Sequence, residues 1–448
     1  MLNSRVLFFV PILTLGCGAL SSTHDDGRTV LEDKDEIAVP DGMEVSPPNS
    51  TPHQHHSLAS ARFFQTPYTA NLSISAESFA PDSGPDSEEL YRAAALPDLQ
   101  SEADDCSGVV DECPVAGGVT WQCKKRYVHG VNYAWHTYSG DFGGIPAWGQ
   151  AGVATTAAAV DKELQDMKAN GANVVRWWVL PDFRSAGVSF DDSDTPTGLG
   201  PTFQKDLLKA LELAEKNDIY LMMNIFSFDT FRPTRTEAGV KIRGLRPILL
   251  DPKKRHALLE KVIRPMARIA EKSPHRKRLM TWDMFNEPEW AMTGPGQYGD
   301  PAYECDSRTL ECVTHEQMES FLADTARVLR SESKALISVG GAAIKWKNAW
   351  SRLDLDYLQF HFYDWVNLYY PYTKSPKDWG LTDKPVVMGE YPFHGVPGAD
   401  ASKLMASWYA SGFGGSLGWA VTDSAYNWSS NRVMFKDFTN RNSCQMRF

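Results

Sequence analysis

Eight short apolar runs alternate with amphipathic stretches between residues 126 and 420, and this alternation predicts a (β/α)8 TIM barrel. Two further observations sharpen the prediction. The turn after the first run, Gly130-Val-Asn-Tyr-Ala-Trp135, lacks the glycine-rich phosphate loop usual in a doubly wound open sheet. Ahead of the runs lie a short apolar leader and a long acidic stretch without periodicity. The predicted fold class is therefore α/β, a barrel preceded by a signal peptide and a disordered acidic tether.

Residues 1–19 read as the signal peptide. Arg5 precedes an apolar run over 6–15, long enough for a signal core and too short to span a bilayer. The run ends in Leu13-Thr14-Leu15-Gly16-Cys17, which resembles a bacterial lipobox with Thr14 where an aliphatic residue is usual. Cleavage there makes Cys17 the lipidated N-terminus; ordinary cleavage after Ala19 is the alternative. Residues 20–117 read as linker. Over 20–105 they carry 17 Asp/Glu against 4 Lys/Arg, and stretches such as Val45-Ser-Pro-Pro-Asn-Ser-Thr-Pro52 bury too little apolar area to offset ordering. His53, His55 and His56 are read as incidental rather than as a metal site. The expected location is outside the cytoplasm, as a cell-surface lipoprotein or a secreted protein.

Residues 118–448 read as a catalytic domain. Over 106–448, 39 acids meet 40 bases, so this part is nearly neutral. That balance gives no electrostatic reason for a nucleic-acid partner, and membrane contact is expected only through a Cys17 anchor. A neutral polysaccharide or oligosaccharide fits better. All 14 Trp lie between Trp121 and Trp428, more than a core needs, and indole faces suit pyranose rings. No cofactor or metal is expected, because no His/Asp pair shows ligand spacing at a strand end. The domain is expected to be monomeric.

Without Cys17 six cysteines remain, an even number suited to an oxidising compartment. Cys106/Cys113 and Cys305/Cys312 each enclose a short polar stretch and can pair locally. Cys123 and Cys444 then staple the barrel's two ends. Six cysteines allow about 15 pairings, so the connectivity stays open.

The elements follow in order. A strand over 126–133 precedes a helix near 154–170, a strand over 172–179 precedes a helix over 203–217, and a strand over 219–226 precedes a helical stretch over 253–271. A fourth strand, 279–285, leads to a helix over 316–334. Strands at 336–339, 358–362, 386–389 and 416–420 complete the barrel, with a helix over 402–410 before the last.

In such a barrel chemistry sits where strands end. Strand two ends Val174-Val-Arg176-Trp-Trp178, strand four Asn286-Glu287-Pro288, strand six His361-Phe-Tyr363, strand seven Gly389-Glu390, and strand eight holds Trp419. Glycoside cleavage needs two carboxyl groups across the scissile bond, and Glu287 and Glu390 end strands that face one another across the mouth. Asn286 can bond a sugar hydroxyl, His361 and Tyr363 can orient the two carboxyls, and Arg176 can keep Glu390 ionised. Trp135, Trp178, Trp290 and Trp419 are candidate substrate-binding rings, with Trp148, Trp365, Tyr369, Tyr370 and Trp428 behind them.

This ordered set, Arg176, Asn286-Glu287-Pro288, His361-x-Tyr363, Glu390 and Trp419, resembles glycoside hydrolase family 5 of clan A, the cellulase- and mannanase-like enzymes, over residues 126–443. The resemblance implies retaining hydrolysis of a β-1,4-linked mannan or glucan, endo-acting, with Glu287 as acid/base and Glu390 as nucleophile. Non-catalytic glycan binding and glycan-remodelling transglycosylation are the competing readings. One departure stands at the end of strand three. Where the family often has His, this chain reads Asn224-Ile-Phe-Ser227-Phe-Asp229.

Overall fold

The computed structural model describes Cys106, Glu112, Cys113 and residues 115–448; the expected leader, Cys17 and nearly all of the linker lie outside the described residues. Eight parallel strands close into a barrel in chain order: β1 (Val128–Asn132), β2 (Val174–Trp178), β3 (Tyr220–Ser227), β4 (Leu279–Asn286), β5 (Leu336–Gly341), β6 (Leu358–His361), β7 (Val386–Pro392) and β8 (Gly415–Trp419). The (β/α)8 barrel read from the sequence is the observed fold. Around it pack α1 (Val153–Ala169), α2 (Phe203–Lys216), α3 (Arg264–Glu271), α4 (His315–Glu332), α5 (Ala401–Ala410) and α6 (Trp428–Arg441).

Local chemistry sets these elements. Thr314 and Gln317 form a reciprocal capping box that starts α4. Ahead of α3, Leu259–Ile263 is a π-turn, next to Pro265, which brings no N–H to the ladder. Along β2 the period of two sorts three residues into tiers. Val174 joins an apolar floor with Val128, Met222, Met280, Val387 and Leu417. Arg176 lies above it, and Trp178 joins Trp419 in an aromatic rim.

Two irregularities re-phase the strands that matter most. Phe360 pairs with Met388 and the next residue, His361, with Glu390, so Gly389 is extra on β7. Asp283 pairs with Ser338, then Asn286 with Gly340, so β4 also gains one residue. Each bulge shifts the alternation by one and turns a residue from the outer face to the mouth. Glycine is required beside both. A Cβ on Gly389 would lie 2.5 Å from the Gln359 side chain, and one on Gly340 would lie 2.8 Å from Arg176 Nη2.

The disulfides correct one expectation. Cys305 pairs with Cys312, but Cys106 pairs with Cys123 and Cys113 with Cys444, at Cα–Cα distances of 6.0, 5.4 and 5.5 Å. The local Cys106/Cys113 pair does not form. The hairpin of Val119–Trp121 and Lys124–Arg126 carries Cys123, at φ 63°, back to Cys106. The C-terminal turn packs on the start of β1, with Tyr127 N–H donating to Gln445 O at 2.8 Å, so the terminal staple falls on Cys113. It spans a separation of 331 residues. Cys113→Ser is expected to destabilise the domain by about 2–5 kcal/mol in urea unfolding. Unchanged stability would mean the staple closes nothing in solution.

Candidate active site

Arg176 is fully buried and organises the mouth. Its Nε donates to Asp283 Oδ2 at 2.7 Å, Nη1 to Glu390 Oε1 at 2.6 Å and to Asn132 Oδ1 at 3.0 Å, and Nη2 to Asn286 Oδ1 at 3.0 Å. Asp283 also accepts from Gly340 N–H, Asn224 Nδ2 and Gln359 Nε2, at 2.8, 3.2 and 3.1 Å. Asn224, Asp283 and Gln359 escaped the strand-end reading because they sit within strands, and Asn132, which ends β1, was missed as well. Their signal was available: a carboxylate inside Leu279–Asn286 is costly unless partnered.

The two glutamates meet over this layer. Glu287 Oε1 lies 2.8 Å from His361 Nδ1, and Glu287 Oε2 accepts from Trp290 Nε1 at 3.0 Å. Glu390 Oε2 accepts from the Tyr363 hydroxyl at 3.0 Å and lies 3.4 Å from His361 Nδ1. One ligand atom each of Glu287, His361 and Glu390 lies within 4.8 Å of the others. That spacing could hold a metal ion, but the Arg176 cation already occupies one Glu390 oxygen. One oxygen of each carboxyl thus lies within 4.8 Å of the other, short of the ~6.5–9.5 Å separation that admits a water and compatible with a retaining pair at ~5–5.5 Å.

The surroundings of the two carboxyls differ. Burial pushes the Glu287 carboxyl up to about 8, only partly opposed by Arg176 and the Trp290 N–H, with Asp229 adding to the rise. Burial raises Glu390 as well; Arg176 and the Tyr363 hydroxyl oppose the rise, and Glu287 adds to it. Burial lowers His361 to about 4, so it is neutral at pH 7 and brings no charge to Glu287. Arg176 has two carboxylates in direct contact, Asp283 and Glu390, and Glu287 is outside that set. Glu287 therefore holds its proton near neutral pH.

The aromatic candidates divide. Trp135, Trp178 and Trp419 cluster beside the mouth with ring centroids 5.5–6.1 Å apart. Trp290 is buried under Trp346 and Trp365. Trp148 and Trp365 are half-buried, and Tyr369 is exposed. Tyr370 packs against Trp379. Trp428 is buried at the start of α6 against Phe393 and Phe435, which makes it core.

No protein-family model matches the chain. Over 332 residues the chain is 23% identical to a mannan endo-1,4-β-mannosidase of Mytilus edulis, covering 67% of this chain and 85% of that one. A second mannan endo-1,4-β-mannosidase, from Cryptopygus antarcticus, is 22% identical over 340 residues, 66% of this chain and 80% of its own. Among solved structures, a β-1,4-mannanase from Aplysia kurodai aligns at TM-score 0.60 and 19% identity, over 72% of this chain and 95% of that one. The β-mannanase of Mytilus edulis aligns at 0.59 and 21%, over 74% and 98%. At those identities the structural matches establish the fold. The residue set gathered at the strand ends thus stands on a chain similar, over about two thirds of its length, to proteins named mannan endo-1,4-β-mannosidases.

Proposed function

We propose that the chain is a retaining endo-β-1,4-mannanase in which Glu390 is the nucleophile and Glu287 the acid/base. The observation that carries this reading is a close carboxyl pair, one member held by Arg176 and Tyr363 and the other pushed up by burial, on a barrel whose sequence relatives are named mannan endo-1,4-β-mannosidases. Glu390, held by Arg176 and Tyr363, attacks the anomeric carbon while Glu287 protonates the departing oxygen. Glu287 then takes a proton from the water that hydrolyses the glycosyl-enzyme. Trp135, Trp178 and Trp419 line the sugar-binding side. Long connections after β1, β3 and β4, the last containing Cys305–Cys312, support an extended cleft and internal cleavage.

The same proposal covers organisation and location. Residues 1–19 are a leader with Cys17 as lipid anchor, residues 20–117 a tether, and residues 118–448 the catalytic domain. Three disulfides among the described residues support an oxidising compartment outside the cytoplasm. No helix among the described residues is long and apolar enough to cross a membrane.

A panel of mannan, galactomannan, cellulose and mixed-linkage glucan tests the substrate. Mannan is expected to be cut to short oligosaccharides, and cellulose cleavage with mannan untouched would overturn the assignment. The acid's protonation predicts the pH profile. Glu287 must hold its proton to act, so kcat/KM is expected to fall as pH rises through about 8. A profile still flat at pH 10 would remove Glu287 from the acid role.

A further inference from the structure

The turn after β4 carries two glutamates and a tryptophan, and only Glu287 faces the mouth. We propose that Trp290, anchored through Glu289, is a positioning residue that aims and tunes the Glu287 carboxyl rather than a platform for sugar. This rests on the reading of Glu287 as acid/base.

The backbone makes positioning necessary. Glu287 sits at φ 52°, ψ 49°, a left-handed conformation that a residue with a side chain holds only when its surroundings over-determine it. Its N–H donates to Gly340 O at 2.6 Å, and its own carbonyl accepts from Trp290 N–H at 3.2 Å. The indole N–H then returns to the carboxyl, donating to Oε2 at 3.0 Å. Backbone and side chain of Trp290 thus grip both ends of one residue.

Glu289 fixes that grip to the barrel. It is fully buried, and its two oxygens accept from Ala342 N–H at 2.9 Å and Trp350 Nε1 at 2.7 Å. These bonds tie the turn to the segment that follows β5. A buried carboxyl is costly, and this one contacts neither Glu287's oxygens nor Glu390's; its bonds serve the turn.

The ring itself has little face to offer. Trp290 is 8% exposed, lies edge-on to Trp346 at 5.1 Å and 88°, and is 5.9 Å from Trp365. Lys345, paired with Glu304 at 2.9 Å, sits 4.0 Å from the Trp346 ring and 5.2 Å from the Trp365 ring, closing the far side. The polar edge of the indole is directed to Glu287. The charged and titratable groups around that carboxyl are Arg176 on β2, Asp229 after β3, Glu289 on the same turn, His361 on β6, Tyr363 just beyond it, and Glu390 on β7. Among these the Trp290 N–H is a neutral donor. It favours the ionised carboxylate, and its loss moves the carboxyl upward.

The test uses the full chain and mannan. Trp290→Phe keeps the ring and removes the donor. The alkaline limb of kcat/KM is expected to move up by about one pH unit, with kcat reduced roughly tenfold and KM within about twofold. Glu289→Gln, which leaves Trp290 intact, is expected to lower kcat with KM unchanged. A several-fold rise in KM for Trp290→Phe with the limb in place would make the ring a sugar platform and overturn the proposal. Should Trp290→Phe fail to fold, wild-type kcat in Glu289→Gln would overturn it alone. Glu287→Gln separates the underlying reading: if it keeps the wild-type alkaline limb, the acid assignment itself fails.

Discussion

Replacing Glu390 by Gln is expected to lower kcat on mannan by on the order of 10^4–10^6, the scale of losing a covalent nucleophile. The amide is nearly isosteric and still presents an oxygen to Arg176 Nη1, whose bond to Glu390 Oε1 is 2.6 Å in the native chain. Folding is therefore expected to survive while attack on the anomeric carbon does not. The smaller variants Glu390→Ala and Glu287→Ala give a sharper readout with added azide and an activated aryl β-mannoside. Azide in the space left by Glu390 attacks from the nucleophile's side and yields the α-azide. Azide in the space left by Glu287 intercepts the glycosyl-enzyme from the opposite side and yields the β-azide. The reverse pattern would exchange the two roles.

Arg176 is expected to produce the largest loss of stability. Its guanidinium binds Asp283, Glu390, Asn132 and Asn286 and is fully buried. Arg176→Met leaves two buried carboxylates facing an apolar chain. Removing one partner of a buried ion pair costs about 3–5 kcal/mol, and here two acids are orphaned at once. Urea unfolding measures it. Arg176→Lys retains the charge but cannot reproduce a fork that reaches four side chains, so it is expected to fold and to lose roughly 10^2–10^3 in kcat. A lysine variant with wild-type kcat would mean that charge alone, without the fork, sustains the nucleophile.

Much of this site was legible because strand ends are where a barrel displays chemistry. Glu287, Asn286, His361 and Tyr363 sit at or just past the ends of β4 and β6, Glu390 lies two residues before the end of β7, and Arg176 is in phase with Val174 and Trp178 on β2. The layer beneath them was harder to see. Asp283, Asn224 and Gln359 lie inside apolar strands, where a polar residue stands for packing or function alike until its partners are known. The bulges at Gly389 and after Asp283 were invisible to a period of two, although they turn Glu390 and Asn286 into the mouth. Disulfide connectivity stayed open for a related reason. Sequence distance favoured Cys106 with Cys113, whereas the hairpin carrying Cys123 and the C-terminal turn carrying Cys444 decided the pairs in space.

If Glu390 attacks while Glu287 delivers and then withdraws a proton, the anomeric configuration is retained in the product. Proton NMR of the first product released from mannohexaose, read before mutarotation, tests it directly. The β-anomer is expected first, with the α-anomer growing in later. Release of the α-anomer first would mean single-step displacement with inversion and would contradict it.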